Sequence, residues 1–187
     1  MKTDLHKLRV LFLFVCTVIF LNSVQATVFS RKTGDWSDVT VGNGSWSLVA
    51  VGGVSCDCKP GAADSVVIDG GYTITQDNGA SSVSSLYIAT GATLTWAANN
   101  NALTIGSAGT SGTLTIDGTM TATTNNKNIL FNGYLLQGTG TYAVKKDLEL
   151  GYNVSTSATT NLIFDGAAGT FTLDMQGNTL ITMAPLQ

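Results

Sequence analysis

Few side chains in this 187-residue sequence could do chemistry: the pair Cys56 and Cys58, the tryptophans Trp36 and Trp46, and scattered aspartates. In an oxidising compartment two cysteines default to a disulfide. Residues two apart on an extended strand sit near the limit of bridgeable separation, and a turn would relieve that strain. A local Cys56–Cys58 bridge, free thiols and pairing elsewhere therefore all stay open. As metal ligands the two sulfurs fall short, because a thiolate site needs further Cys or His. Trp36, within Gly34-Asp35-Trp36-Ser37, and Trp46, within Gly44-Ser45-Trp46-Ser47, have two readings. Exposed and coplanar, they would form a platform for carbohydrate contact; buried, they would close the end of a β stack, the preferred reading.

Asp64, Asp69, Asp117, Asp165 and Asp174 stand where corners are expected. Calcium needs about six to eight oxygens, usually from clustered carboxylates, and no repeat sets two aspartates together. Turn formation explains them more simply. Pairs of threonine flanking one apolar residue recur at Thr73/Thr75, Thr93/Thr95, Thr113/Thr115, Thr119/Thr121 and Thr170/Thr172. Outward threonine ladders are used by ice-binding solenoids, but the irregular spacing of these pairs favours plain exposed strand residues. Asn43-Gly44-Ser45 and Asn153-Val154-Ser155 fit the glycosylation acceptor pattern, which matters only in a eukaryotic secretory pathway.

The single histidine, His6, lies in an amino-terminal export signal. Lys2, Lys7 and Arg9 form a basic start, Val10 to Leu21 an apolar core, and Val24-Gln25-Ala26 a cleavage site, with the cut between Ala26 and Thr27. The core is too short for a permanent membrane span, and Cys16 should leave with the leader. Of nine basic and twelve acidic residues, six and eleven remain after cleavage, a net charge of −5. That balance argues against nucleic acid and anionic membranes as partners. Without histidine, Ser-His-Asp, Cys-His and His-zinc chemistries are excluded from the mature segment. No catalytic, cofactor-binding or metal site is assigned.

The elements that must position these residues are strands. Apolar-polar-apolar triplets recur about every 8 to 19 residues, among them Val66-Val67-Ile68, Leu86-Tyr87-Ile88, Leu94-Thr95-Trp96, Leu103-Thr104-Ile105 and Leu114-Thr115-Ile116. Period-two alternation buries one face and wets the other. Asp69-Gly70-Gly71, Thr90-Gly91 and Asp117-Gly118 punctuate them as corners. No segment carries helical periodicity. The shared Leu-x-Ile core pair favours an all-β, right-handed parallel β-helix over the alternative β-sandwich, with a cap region at 27–64 and solenoid repeats at 65–187. No cap follows Thr179 to Met183, so the chain is expected to be part of a longer protein.

Trp36 and Trp46, then Cys56-Asp57-Cys58-Lys59-Pro60-Gly61-Ala62-Ala63-Asp64-Ser65-Val66-Val67-Ile68, then Tyr72-Thr73-Ile74-Thr75, Ser84-Ser85-Leu86-Tyr87-Ile88 and Gly91-Ala92-Thr93-Leu94 carry a resemblance. This run, over about residues 34 to 116, resembles the amino-terminal region of large secreted and surface β-helix proteins of Gram-negative bacteria, and is similar to the eight-glycine β domain of extracellular β-helix proteins. The resemblance implies a secreted or outer-surface, adhesin-like protein. The expected function is a non-catalytic β-solenoid module for surface display, adhesion or carbohydrate contact. The alternative is the amino-terminal portion of a secreted polysaccharide-degrading β-helix enzyme.

Overall fold

The computed structural model describes residues 25–97, 102–106, 112–122, 129–133, 135–144, 148–150, 154–156, 161–163, 173–174 and 180–181. The segment expected to be an export signal, apart from Gln25 and Ala26, lies outside them, as do Thr170/Thr172, Asp165 and Asn153. None of the described residues is helical, and none belongs to a helix long and apolar enough to cross a membrane.

Strands follow one another as short pieces separated by corners. An opening block supplies β1 (Thr27–Ser30), β2 (Gly34–Asp35) and β3 (Trp46–Ser47). The first regular turn of chain runs β4 (Ser65–Ile68), β5 (Thr73–Gln76), β6 (Ala80–Val83). The second runs β7 (Ser85–Ile88), β8 (Thr93–Trp96), β9 (Ala102–Ile105), and the third β10 (Thr113–Ile116), β11 (Thr119–Ala122), β12 (Ile129–Phe131). Then come β13 (Leu135–Gln137), β14 (Thr141–Val144), β15 (Leu148–Leu150), followed by β16 (Val154–Thr156), β17 (Asn161–Ile163), β18 (Leu173–Asp174), and finally β19 (Leu180–Ile181).

Apart from β3, which pairs with β1, each strand pairs not with its sequence neighbour but with the strand three places before or after it. Three sheets result, which we call A (β3, β1, β4, β7, β10, β13, β16, β19), B (β2, β5, β8, β11, β14, β17) and C (β6, β9, β12, β15, β18). Every pair among the described strands is parallel except β1 with β3, where Phe29 faces Ser47. A sandwich of hairpins would be dominated by antiparallel pairs. The chain is thus all-β with parallel strands in stacked sheets, an arrangement compatible with a β-solenoid.

Register turns the sequence triplets into columns. On sheet A, Val28, Val66, Leu86, Leu114 and Leu136 lie in line and are buried. Sheet B contributes Ile74, Leu94, Met120 and Tyr142, and sheet C Val83, Ile105 and Phe131, all buried. Each fully buried aliphatic side chain contributes about 1.5–3 kcal/mol relative to exposure, and stacking like on like lets consecutive layers reuse one shape.

Corners set how closely the layers approach. The Gly118 carbonyl accepts from Thr141 N at 2.8 Å, and Gly140 N donates to the Ile116 carbonyl at 2.7 Å. A side chain on Gly140 would meet that Gly118 oxygen at 2.0 Å, and one on Gly118 would meet the Ala89 oxygen at 2.3 Å. Backbone stacked on backbone at these corners leaves no room for a Cβ.

Candidate interaction surface

The residues singled out for chemistry in the opening block are built into its wiring. Trp36 follows β2 and its amide donates to the Thr75 carbonyl at 2.8 Å; Trp46 lies in β3. Both indoles are 0% exposed, packed edge to face with ring centroids 5.1 Å apart and planes at 72°. The carbohydrate platform considered for Trp36 and Trp46 therefore has no accessible ring, because their apolar area is spent filling the core at the β1–β3 end of the stack. Trp46 Nε1 donates to the Trp36 carbonyl at 2.8 Å, while the buried Trp36 Nε1 has no hydrogen-bond partner.

Cys56 and Cys58 are joined as a disulfide, with Cα atoms 5.1 Å apart. The chain bends between them: Asp57 has φ 52°, the left-handed region that Asp tolerates better than most residues. Its carboxylate accepts from Gly42 N at 2.7 Å and from the Ser55 hydroxyl at 2.8 Å, pinning one loop of the block to another. Asp38 forms a similar anchor, accepting from Thr40 N at 3.0 Å, from the Thr40 hydroxyl at 2.6 Å and from Lys32 Nζ at 3.0 Å. The Thr40 hydroxyl first, then the Thr40 amide and Lys32, hold its carboxyl well below the usual carboxylate range. Asp77 accepts from both the amide and the hydroxyl of Ser37, docking the block on the first regular turn.

Corner aspartates accept from backbone amides: Asp64 Oδ2 from Gly61 N at 2.8 Å within its own turn, and Asp117 Oδ1 from Thr139 N, 22 residues on, at 3.0 Å. Among the described residues no group of three or more His, Cys, Asp and Glu could hold a metal ion. Asn43 of the acceptor pattern lies on a turn, its Oδ1 accepting from Arg31 Nη1 at 3.3 Å.

Two outer faces carry features that take shape only in register: a tyrosine column that the sequence did not single out, and threonine columns whose irregular spacing in the sequence favoured plain strand residues. On sheet A, Phe29, Val67, Tyr87, Thr115 and Gln137 form one outward column, beside Thr27, Ser65, Ser85, Thr113 and Leu135. Tyr87 is 36% exposed. Partial burial first, then the neighbouring Asp117 carboxylate and the charge of Asp69, raise its phenol above the ordinary value. An exposed aromatic ring flanked by two carboxylates and a row of hydroxyls is the result. Its members lie far apart in sequence, so only register assembles them.

On sheet B, Thr73, Thr93, Thr119 and Thr141 stand in one outward column and Thr75, Thr95 and Thr121 in the next. Thr113/Thr115, by contrast, belongs to sheet A. Valines and a leucine at the surface of the opening block, Val41, Val49, Val54 and Leu48, are more than half exposed. Comparison with protein families, curated proteins and solved structures finds no match for the chain.

Proposed function

We propose that the chain is a right-handed parallel β-helix acting as a non-catalytic, extracellular or cell-surface module for display, adhesion or carbohydrate contact within a longer protein. The strand order repeating every three, with crossovers between parallel strands, supports a helical winding, and such crossovers are right-handed in nearly all proteins. The amino-terminal export signal read from the sequence supports the compartment, and the run from Trp36 to Leu94 resembles the openings of surface β-helix proteins.

The observation that carries the carbohydrate reading is Tyr87 on the outer face of sheet A. A sugar ring offers an apolar face of C–H groups and a rim of hydroxyls. The exposed phenol ring can pack on the first, while Asp117, Asp69 and the Ser65 and Ser85 hydroxyls accept from or donate to the second. A β-helix suits this role because its columns repeat as polysaccharides do.

The test is retention of the full chain on insoluble polysaccharides (chitin, cellulose and cross-linked pectin) and on a glycan array, with Tyr87→Ala alongside. Retention that Y87A abolishes is expected. No retention on any of them, or retention indifferent to Tyr87, would overturn the carbohydrate reading. Release of reducing ends during incubation would overturn the non-catalytic one.

A further inference from the structure

The outer face of sheet B differs from the other two in being uniform. Sheet A mixes Phe29, Val67, Tyr87, Thr115 and Gln137 in one column, and sheet C places Ser82, Thr104, Leu130 and Glu149 in line. Sheet B presents threonine at both outward positions of three consecutive strands, β5, β8 and β11, and again at the first outward position of β14.

This order is not imposed by sequence spacing. Thr93 lies 20 residues after Thr73, Thr119 a further 26, and Thr141 a further 22, yet all four occupy one register position. The unequal lengths are taken up outside these strands. The irregular spacing that argued against a ladder in the sequence therefore disappears in the sheet.

The lattice has fixed dimensions. Parallel strands set successive threonines of a column about 4.8 Å apart, and the two columns are separated by two residues of strand, about 6.6 Å. β-branching restricts χ1, so each methyl and hydroxyl is held at a repeated point rather than swinging. Beneath them Ile74, Leu94 and Met120 are fully buried, which stiffens the plane. Thr73, Thr75, Thr93, Thr95, Thr119 and Thr121 are partly exposed, each shielded by its neighbours but open outward. The six positions carry no charge, in a protein whose charge balance is acidic, and Asp35 stands at the end, level with Thr75.

We infer that this threonine face binds ice. A short, rigid side chain cannot reach around a sugar to make paired hydrogen bonds, and the face offers no ring to stack on one. It can instead anchor a flat sheet of water, with hydroxyls replacing lattice waters and methyl groups seated between them. Only a ligand with its own two-dimensional repeat gains from every point of the array at once. Ice is such a ligand, uncharged like the face, and the carbohydrate site at Tyr87 lies on a different sheet.

The full chain is assayed for thermal hysteresis and for incorporation into a growing ice hemisphere, beside Thr95→Tyr at the centre of the array, Thr121→Lys at its margin and Thr104→Tyr on sheet C. Faceted crystals, a gap between melting and freezing points and enrichment in ice are expected for the parent and T104Y, with loss in T95Y and T121K. Circular dichroism confirms that the variants keep the parent spectrum, and T121K serves if T95Y does not. Absence of hysteresis and exclusion from ice in the parent would overturn the inference, as would full activity in both array variants. So would a T95Y-sensitive retention on polysaccharide, or a T95Y-sensitive dimer by light scattering, without ice binding. A helical spectrum of the parent would instead remove the β-helix on which both readings stand, whereas β structure without hysteresis removes ice binding alone.

Discussion

The two buried tryptophans set up a comparison in which shape is nearly constant and one hydrogen bond differs. Trp36→Phe and Trp46→Phe each shrink an indole to a phenyl ring in the same edge-to-face pair, so both create a cavity of similar size at the same end of the core. Trp46→Phe also removes the 2.8 Å bond from Nε1 to the Trp36 carbonyl and leaves that oxygen without the indole donor. A lost bond with a stranded buried partner costs about 1–3 kcal/mol. Trp36→Phe removes an Nε1 donor that has no partner, relieving a desolvation cost also of about 1–3 kcal/mol. With the shared cavity cost cancelling, W46F is expected to be less stable than W36F by roughly 2–6 kcal/mol. For a chain of this size that is a difference in Tm of roughly 4–24 °C, at about 2–4 °C per kcal/mol. Urea unfolding followed by far-ultraviolet circular dichroism, with Trp96 as a remaining fluorescence reporter, measures both variants. Equal destabilisation, or W36F the weaker of the two, would refute the assignment of the hydrogen bond as the distinguishing interaction.

Gly140→Ala is expected to destabilise at or beyond the upper end of the about 1–3 kcal/mol usual for overpacking, since its Cβ would meet the Gly118 oxygen at 2.0 Å and a backbone carbonyl cannot swing aside. Hydrogen exchange at the Thr141 amide, which donates to that oxygen, should rise with it. Asp38 has its carboxyl depressed in the folded chain, so its stabilisation is fully present above the unfolded pKa of about 3.9 and is lost as pH falls through the lower folded value. Asp38→Asn should therefore lower the urea midpoint at pH 7 but narrow the loss between pH 7 and pH 3; because Asp38 and its partner Lys32 are both still in contact with solvent, the effect is expected to be small and to shrink in high salt. Replacing Cys56 and Cys58 together by serine opens a loop of three residues, for which chain entropy gives on the order of 1.5 kcal/mol, less than the about 3 kcal/mol of a 15-residue loop. A cooperative β-sheet unfolding transition shifted by no more than that is the expected outcome, and collapse of the fold would contradict it.

Strand identity was legible because it is local. Leu86-Tyr87-Ile88 and Leu94-Thr95-Trp96 alternate with period two, and that alternation alone says which side chains go inward. The corner role of Asp69-Gly70-Gly71 was legible for the same reason, since Gly70 and Gly71 adopt φ near +70° and glycine does so freely. The core reading of Trp36 and Trp46 could be preferred from their setting, but the burial that excludes a sugar platform came from packing.

Register was not legible, because the number of residues between strands says nothing about which layer a strand joins. Thr113/Thr115 and Thr119/Thr121 are neighbours in sequence and sit on different sheets, whereas Thr93 and Thr119 are 26 residues apart and adjacent. Tyr87 likewise meets Asp117 only because β7 lies beside β10. From the sequence alone came the basic and apolar character of the amino-terminal segment, the lack of histidine beyond position 6 and the alternating strands, all properties of composition or of near neighbours. The tertiary structure alone decided the two outer faces on which function is proposed, because hydrogen bonding between distant strands, not spacing along the chain, determines which side chains stand side by side.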